Sequence, residues 1–163
     1  MRRPVDTSTL KAIPGARIAV LQASWYKEHT DGLVSECIAL LSEFQALRPE
    51  VHVLPGSMEL PLAAQIIAGR QLADAIICFG AVVKGETMHF EVVVDETVRG
   101  LGEVSRAMEI PIFMEIIPAL RIEDVIERCR PGEFNKGREA AAAAIHFLNW
   151  RDGLRADGPT QSR

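Results

Sequence analysis

The sequence predicts an α/β fold built on a four-stranded parallel sheet. Four short stretches are apolar on both faces, as strands covered by helices on either side are. Segments with apolar residues at helical spacing separate them, which makes successive strands parallel. The chain has 163 residues, enough for one domain with a sizeable core.

Residues 1–15 hold Pro4, Pro14, Gly15 and several small polar residues, and read as an arm outside the core. The folded domain is expected over 16–150. Ala16-Arg17-Ile18-Ala19-Val20-Leu21 is the first predicted strand. Trp25 and Tyr26 follow its carboxyl end, where ligands bind in open α/β sheets. From position alone, Trp25 serves equally well as a cover for the core edge. Leu33, Cys37, Leu40, Leu41 and Phe44 form the stripe of a packed helix, and Pro49 blocks its continuation. Val51-His52-Val53-Leu54 is the second strand. Pro61 is tolerated only in a first turn, so the next helix starts near Leu60 or Pro61. Glu59 then lies beside a helix N-terminus, where a charge–dipole contact is its ordinary role.

Ala75-Ile76-Ile77-Cys78-Phe79 is the third strand. It leads into Gly80-Ala81-Val82-Val83-Lys84-Gly85-Glu86-Thr87-Met88-His89-Phe90-Glu91, a stretch that reads as strand, turn and helix with Thr87 as N-cap. Backbone N–H groups at such a helix start favour anions. His89 falls in the first turn, within reach of such a site, as a candidate proton-transfer group; most histidines there are surface or capping residues. Val98, Leu101, Val104 and Met108 continue the helix at core spacing. The fourth strand spans 110–118 and carries Glu115, a carboxylate that needs a partner or an open end. Ile122, Val125, Ile126 and Cys129 mark another helix, with Arg128 in its last turn. Asn135-Lys136-Gly137 opens a final helix to about Trp150, and residues 151–163 read as a disordered tail.

The net charge of −4 gives no global attraction to nucleic acid or an anionic membrane. No apolar run reaches membrane-spanning length. Cys37, Cys78 and Cys129 are isolated, which suits buried thiols in a reducing cytoplasm. The four histidines show no metal-ligand spacing. No GxGxxG follows the first strand, which argues against a dinucleotide binder.

Four separated segments together resemble the lumazine synthase family. They are Trp25-Tyr26, Pro55-Gly56-Ser57-Met58-Glu59-Leu60-Pro61, the 80–91 stretch, and Glu127-Arg128 followed by Asn135-Lys136-Gly137. The resemblance covers about 16–149. It implies a flavodoxin-like three-layer α/β/α subunit with sheet order 2-1-3-4. It also implies the penultimate step of riboflavin biosynthesis: 5-amino-6-(D-ribitylamino)uracil condenses with 3,4-dihydroxy-2-butanone 4-phosphate to 6,7-dimethyl-8-ribityllumazine. No metal or organic cofactor is expected, and no nucleic acid or membrane partner.

By the same resemblance, Trp25 stacks on the pyrimidine, and Ser57, Met58 and Glu59 hold the ribityl chain. Ala81, Val82 and Val83 offer backbone to the ring. Gly85, Glu86 and Thr87 cradle the phosphate, and His89 moves protons. From a neighbouring subunit, Met114 and Glu115 line the pyrimidine, Arg128 binds phosphate and Lys136 reaches the ring. The implied assembly is a homo-oligomer built from pentamers; the eight positions from Arg128 to Lys136 leave a 60-subunit shell open. The chain departs from the family pattern at Trp25-Tyr26 for Phe-Asn, at Met58 and Met114 for aromatics, at Glu115 for a small or neutral residue, and at Pro118 for threonine. A paralogue that mainly binds a flavin or lumazine, or builds a shell, is the alternative.

Overall fold

The apolar stretches pair into one parallel sheet of order β2-β1-β3-β4 in the computed structural model, which describes residues 4–156. The strands are β1 (Ile18–Ala23), β2 (Glu50–Leu54), β3 (Ala75–Val83) and β4 (Ile112–Ala119). The helices are α1 (Lys27–Glu43), α2 (Leu60–Gly69), α3 (His89–Met108), α4 (Ile122–Cys129) and α5 (Lys136–Ala156), with a 3₁₀ turn at Ser57–Glu59.

Strand alternation divides the core in two. Val20, Ile77, Phe79 and Ile117 point towards α1, α4 and α5, where Leu33, Leu40, Leu41, Val125 and Ile145 meet them. Leu21, Ile76, Cys78 and Ile116 point the other way, towards Leu60, Ala64, Leu101 and Val104 of α2 and α3. The result is the expected three-layer α/β/α subunit. Cys37, Cys78 and Cys129 are buried free thiols, and burial pushes Cys37 up to about 12.

Several expectations need correction. β1 lies two residues later, because its ladder with β2 runs to Ala23↔Leu54. β3 continues to Val83, because β4 pairs with it as far as Val83↔Ala119. Gly80 therefore does not end the strand. A Cβ there would meet Ser57 Oγ at 2.9 Å and Ile116 Cδ1 at 3.3 Å, so glycine permits close packing. On α3 the buried stripe is Thr97, Leu101 and Val104, while Val98 and Met108 are exposed.

The arm is not wholly outside the core. Ile13 is buried in the α1/α5 layer and its N–H donates to Phe44 O at 2.8 Å. Lys11 and Asn149 exchange two hydrogen bonds, Lys11 N–H to Asn149 Oδ1 and Asn149 Nδ2 to Lys11 O. At the other end, α5 runs six residues past 150. Trp150 meets Phe147 edge to face at 5.1 Å, and Arg151 Nη1 donates to Asp74 O. The rest of the tail, 157–163, lies outside the described residues, as do residues 1–3 of the arm.

α1 and α5 touch through backbone. A Cβ on Gly137 would lie 1.9 Å from Leu33 O, whereas a Cβ on Gly153 would meet nothing. Gly137→Ala should therefore destabilise the fold by about 3 kcal/mol or more, through forced separation of two helices. Gly153→Ala should stabilise by about 0.5–1 kcal/mol, through helix propensity alone. Urea denaturation of both variants checks the contrast.

Candidate active site

The carboxyl ends of β1 and β3 shape a cleft. β1 pairs with β3 only as far as Gln22↔Phe79, whereas β3 runs on to Val83 against β4. Past Phe79 the β1 side of β3 faces no strand. Backbone N–H and C=O groups that point to that side have no strand partner there. A cavity of about 420 Å³ opens at this overhang, lined by Trp25, Ser57, Met58, Glu59, Ala81, Val82, Val83 and His89 among others. All eight were expected at a site.

Trp25 is 69% exposed, so it does not serve as a core cover. Its placement follows from the turn after β1. Ser24 N–H donates to Leu54 O at 2.8 Å and Ser24 Oγ to Pro55 O at 2.6 Å, tying the turn to the end of β2. Tyr26 then adopts φ 58°, ψ 27°, a left-handed conformation that costs a non-glycine residue about 1–2 kcal/mol. Its carbonyl accepts the N–H groups of His29 and Thr30, which starts α1. Beneath, the buried Gln22 amide donates to Thr30 Oγ1 and Asp31 Oδ1, both at 2.9 Å, and Lys27 closes on Asp31. Lys27 and Gln22 hold the Asp31 carboxyl below its usual range against the opposing effect of burial, the largest single influence on it.

The opposite wall is the 55–61 loop. Ser57 is buried beneath Gly80. A Cβ on Gly56 would approach Glu59 Oε2 at 3.1 Å and Trp25 Cδ1 at 3.7 Å, so glycine lets the carboxylate and the indole converge over the loop. Glu59 makes no side-chain cap to α2, although it holds the N-cap position. It also lines the cleft.

Past Val83, Lys84 N–H donates to Ala119 O at 2.8 Å and the chain turns through the exposed residues Gly85, Glu86 and Thr87. α3 starts at His89 with Met88 as N-cap, so Thr87 is not the cap residue. The Thr87 hydroxyl instead accepts the His89 N–H at 3.4 Å. His89 and Val93, one turn apart on α3, face the cleft. Gly85, Glu86 and Thr87 border it without lining it.

The remaining expected residues, Met114, Glu115, Arg128 and Lys136, lie away from this cleft, and the last three form a second group. Met114 and Glu115 lie on opposite faces of β4. Met114 packs with the α2/α3 layer, whereas Glu115 feels the charges of Lys136 and Glu139 on α5 and Arg128 on α4. Adjacent strand residues point to opposite faces, so the two side chains look into different layers. Lys136 Nζ bonds Glu139 Oε2 at 2.5 Å, and Arg128 Nη1 donates to Asp124 O at 2.9 Å. Burial pushes the Glu115 carboxyl up to about 7; Lys136 and Arg128 oppose the shift and Glu139 adds to it.

Tyr26, Gly56 and Val93 also line the cleft and were not among the expected site residues. Gly56 sits inside the 55–61 motif, Tyr26 follows Trp25, and Val93 stands four positions after His89, a spacing that puts both on one helix face.

A family model described as 6,7-dimethyl-8-ribityllumazine synthase matches residues 15–152. A protein of that name from Xanthobacter autotrophicus is 35% identical over 157 residues, covering 93% of this chain and 94% of its own length. A "6,7-dimethyl-8-ribityllumazine synthase 1" from Rhodopseudomonas palustris is 36% identical over 152 residues, covering 90% and 91%. A third of the same name, from Desulfotalea psychrophila, is 34% identical over 142 residues, covering 86% and 92%.

Glu115 yields a prediction independent of any substrate. Folding raises its pKa from the ordinary 4.5 to about 7, so the folded chain holds this proton more tightly than the unfolded one. Stability therefore falls as pH rises between those values, and the cost is complete above about 7. Glu115→Gln should melt close to the parent at pH 5 and several degrees higher at pH 8. An equal gap at both pH values would contradict this assignment.

Proposed function

The chain belongs to the 6,7-dimethyl-8-ribityllumazine synthase family, and from that membership we propose how its cleft works. It is a transferase of riboflavin biosynthesis. It joins 5-amino-6-(D-ribitylamino)uracil to 3,4-dihydroxy-2-butanone 4-phosphate, with loss of phosphate and water. The observation that carries the reading is a coincidence: the three segments resembling the family around β1, the 55–61 loop and β3 meet in one cleft.

The exposed face of Trp25 stacks on the pyrimidine, where a large rigid aromatic gives much contact at low entropic cost. The unpaired side of Ala81–Val83 supplies backbone bonds to the ring edge. Ser57, Met58 and Glu59 hold the ribityl chain, with Glu59 accepting from its hydroxyls. The N–H groups of the Gly85–Thr87 turn, at the start of α3, receive the phosphate. The uracil's free amine attacks the ketone carbonyl, and loss of water leaves an imine. Elimination then expels phosphate, and the ribityl-bearing nitrogen closes the ring with further loss of water. Each step moves protons, and His89 lines the cleft beside the phosphate turn to accept and return them. Holding two substrates in contact supplies much of the rate, on the order of 7–11 kcal/mol at best, so few catalytic groups suffice.

The second group completes the site from a neighbouring copy in a pentamer-based assembly, in the cytoplasm. Two observations support this. Arg128 and Lys136 do not line the cleft of their own chain. Met88, Val92 and Val98 leave an apolar surface exposed at and along α3. In that assembly Arg128 gives a phosphate dianion a planar, doubly bonded counter-charge against the net acidic charge of the chain.

Incubation with both substrates should yield the lumazine, read by its absorbance and fluorescence, together with phosphate. Tight flavin binding without turnover would support the binding-protein alternative instead. His89→Ala should slow turnover by roughly 10²-fold or less, since proximity remains. Trp25→Ala should weaken the aminouracil by about tenfold, within the range of base–aromatic stacking. Mass photometry of the parent should show masses in multiples of five chains.

A further inference from the structure

Lys84 and Glu91 stand at the two ends of the segment that carries the phosphate turn and His89. Lys84 Nζ lies 2.9 Å from Glu91 Oε1 and 5.8 Å from the centre of the Phe90 ring. The Lys84 backbone is already fixed by its bond to Ala119 at the end of β4. The ion pair therefore joins the rim of the sheet to the first turn of α3 and closes residues 85–90 into a loop. Within it Gly85–Met88 are exposed, and a Cβ on Gly85 would meet nothing within 4 Å. Packing does little to hold this backbone.

Resting on the reading above, we propose that Lys84 and Glu91 are positioning residues, a clasp that sets the shape of the 85–89 segment and so aims its backbone donors and His89. The Glu91 carboxylate is well placed for this. Its Oε2 is shielded from solvent and has no hydrogen-bond partner among the described residues, so Lys84 is the principal counterpart of this carboxylate. The bond from Lys84 holds the Glu91 carboxyl below its usual range. Both side chains are more than a third exposed, and exposed ion pairs contribute little to global stability. Their effect is thus local geometry at the site, where small misplacements are costly.

The test compares Lys84→Met, Lys84→Arg, Glu91→Gln and the Lys84→Met/Glu91→Gln double variant in the assembled enzyme. Lys84→Met should lower kcat about tenfold with the aminouracil dissociation constant within twofold. Lys84→Arg should restore most of kcat, and the double variant should be no worse than Lys84→Met. Amide exchange of residues 85–90 should accelerate in Lys84→Met while the melting temperature barely moves. A kcat within twofold and unchanged exchange would overturn the clasp. So would a loss confined to KM for the ketone phosphate, which would make Lys84 a phosphate ligand. If the parent forms no lumazine, the functional reading fails by itself, and the exchange measurement still decides whether the clasp exists.

Discussion

The side chain of Asn135 ties three helices together, and the second half of the site depends on it. It is 1% exposed. Its amide nitrogen donates to Cys129 O and Arg130 O, both at 2.9 Å, and to Gly32 O at 3.3 Å. Its oxygen accepts from Gly137 N at 2.7 Å and Arg138 N at 3.3 Å. One residue thus caps the start of α5, satisfies carbonyls at the end of α4 and anchors both to α1. Gly137 and Gly32 admit the necessary approach, because side chains there would collide with Leu33 O and Cys129 O. Arg128 and Lys136 flank this knot, so their separation is set by the bonds of the Asn135 side chain to the backbone of α1, α4 and α5.

The cleft rests on a different device, the unequal length of neighbouring strands. β1 stops while β3 continues, and that mismatch exposes polar backbone on one side of Ala81–Val83. The loops around it carry glycines where close approach is needed. Gly80 admits Ser57, and Gly56 admits both Trp25 and Glu59. The left-handed Tyr26 turns the chain from strand to helix in one residue and leaves the Trp25 indole outside the core. Strain of that kind persists where surrounding bonds over-determine it, here Ser24 with β2 and Gln22 with α1.

The two halves carry opposite electrostatic characters. The cleft holds an aromatic face, the Glu59 carboxylate, backbone dipoles and His89. The second group holds Arg128 and Lys136 with Glu139, and the carboxyl of Glu115 among them. Burial disfavours the Glu115 charge, and the two cations only partly offset that. A carboxyl so placed is pushed up to about 7 and can act as donor or acceptor near neutral pH.

Much was legible in the sequence, for stated reasons. Apolar runs and helical spacing determined the α/β class, the number of strands and the identity of most core residues, because period and burial are local properties of a chain. Motif segments determined the family, and with it eight of the residues lining the cleft. What local pattern misled was decided by pairing. Gly80 looks like a strand end until β4 is seen to run beside it, and the arm looks peripheral until Ile13 meets Phe44. Helix α5 outlasts its polar appearance because Arg151 reaches Asp74, 77 positions away. Tertiary structure alone decided that Tyr26 bends left-handed and that Lys84 closes on Glu91. Each of these depends on which distant backbone lies opposite, and that is set only when the layers pack.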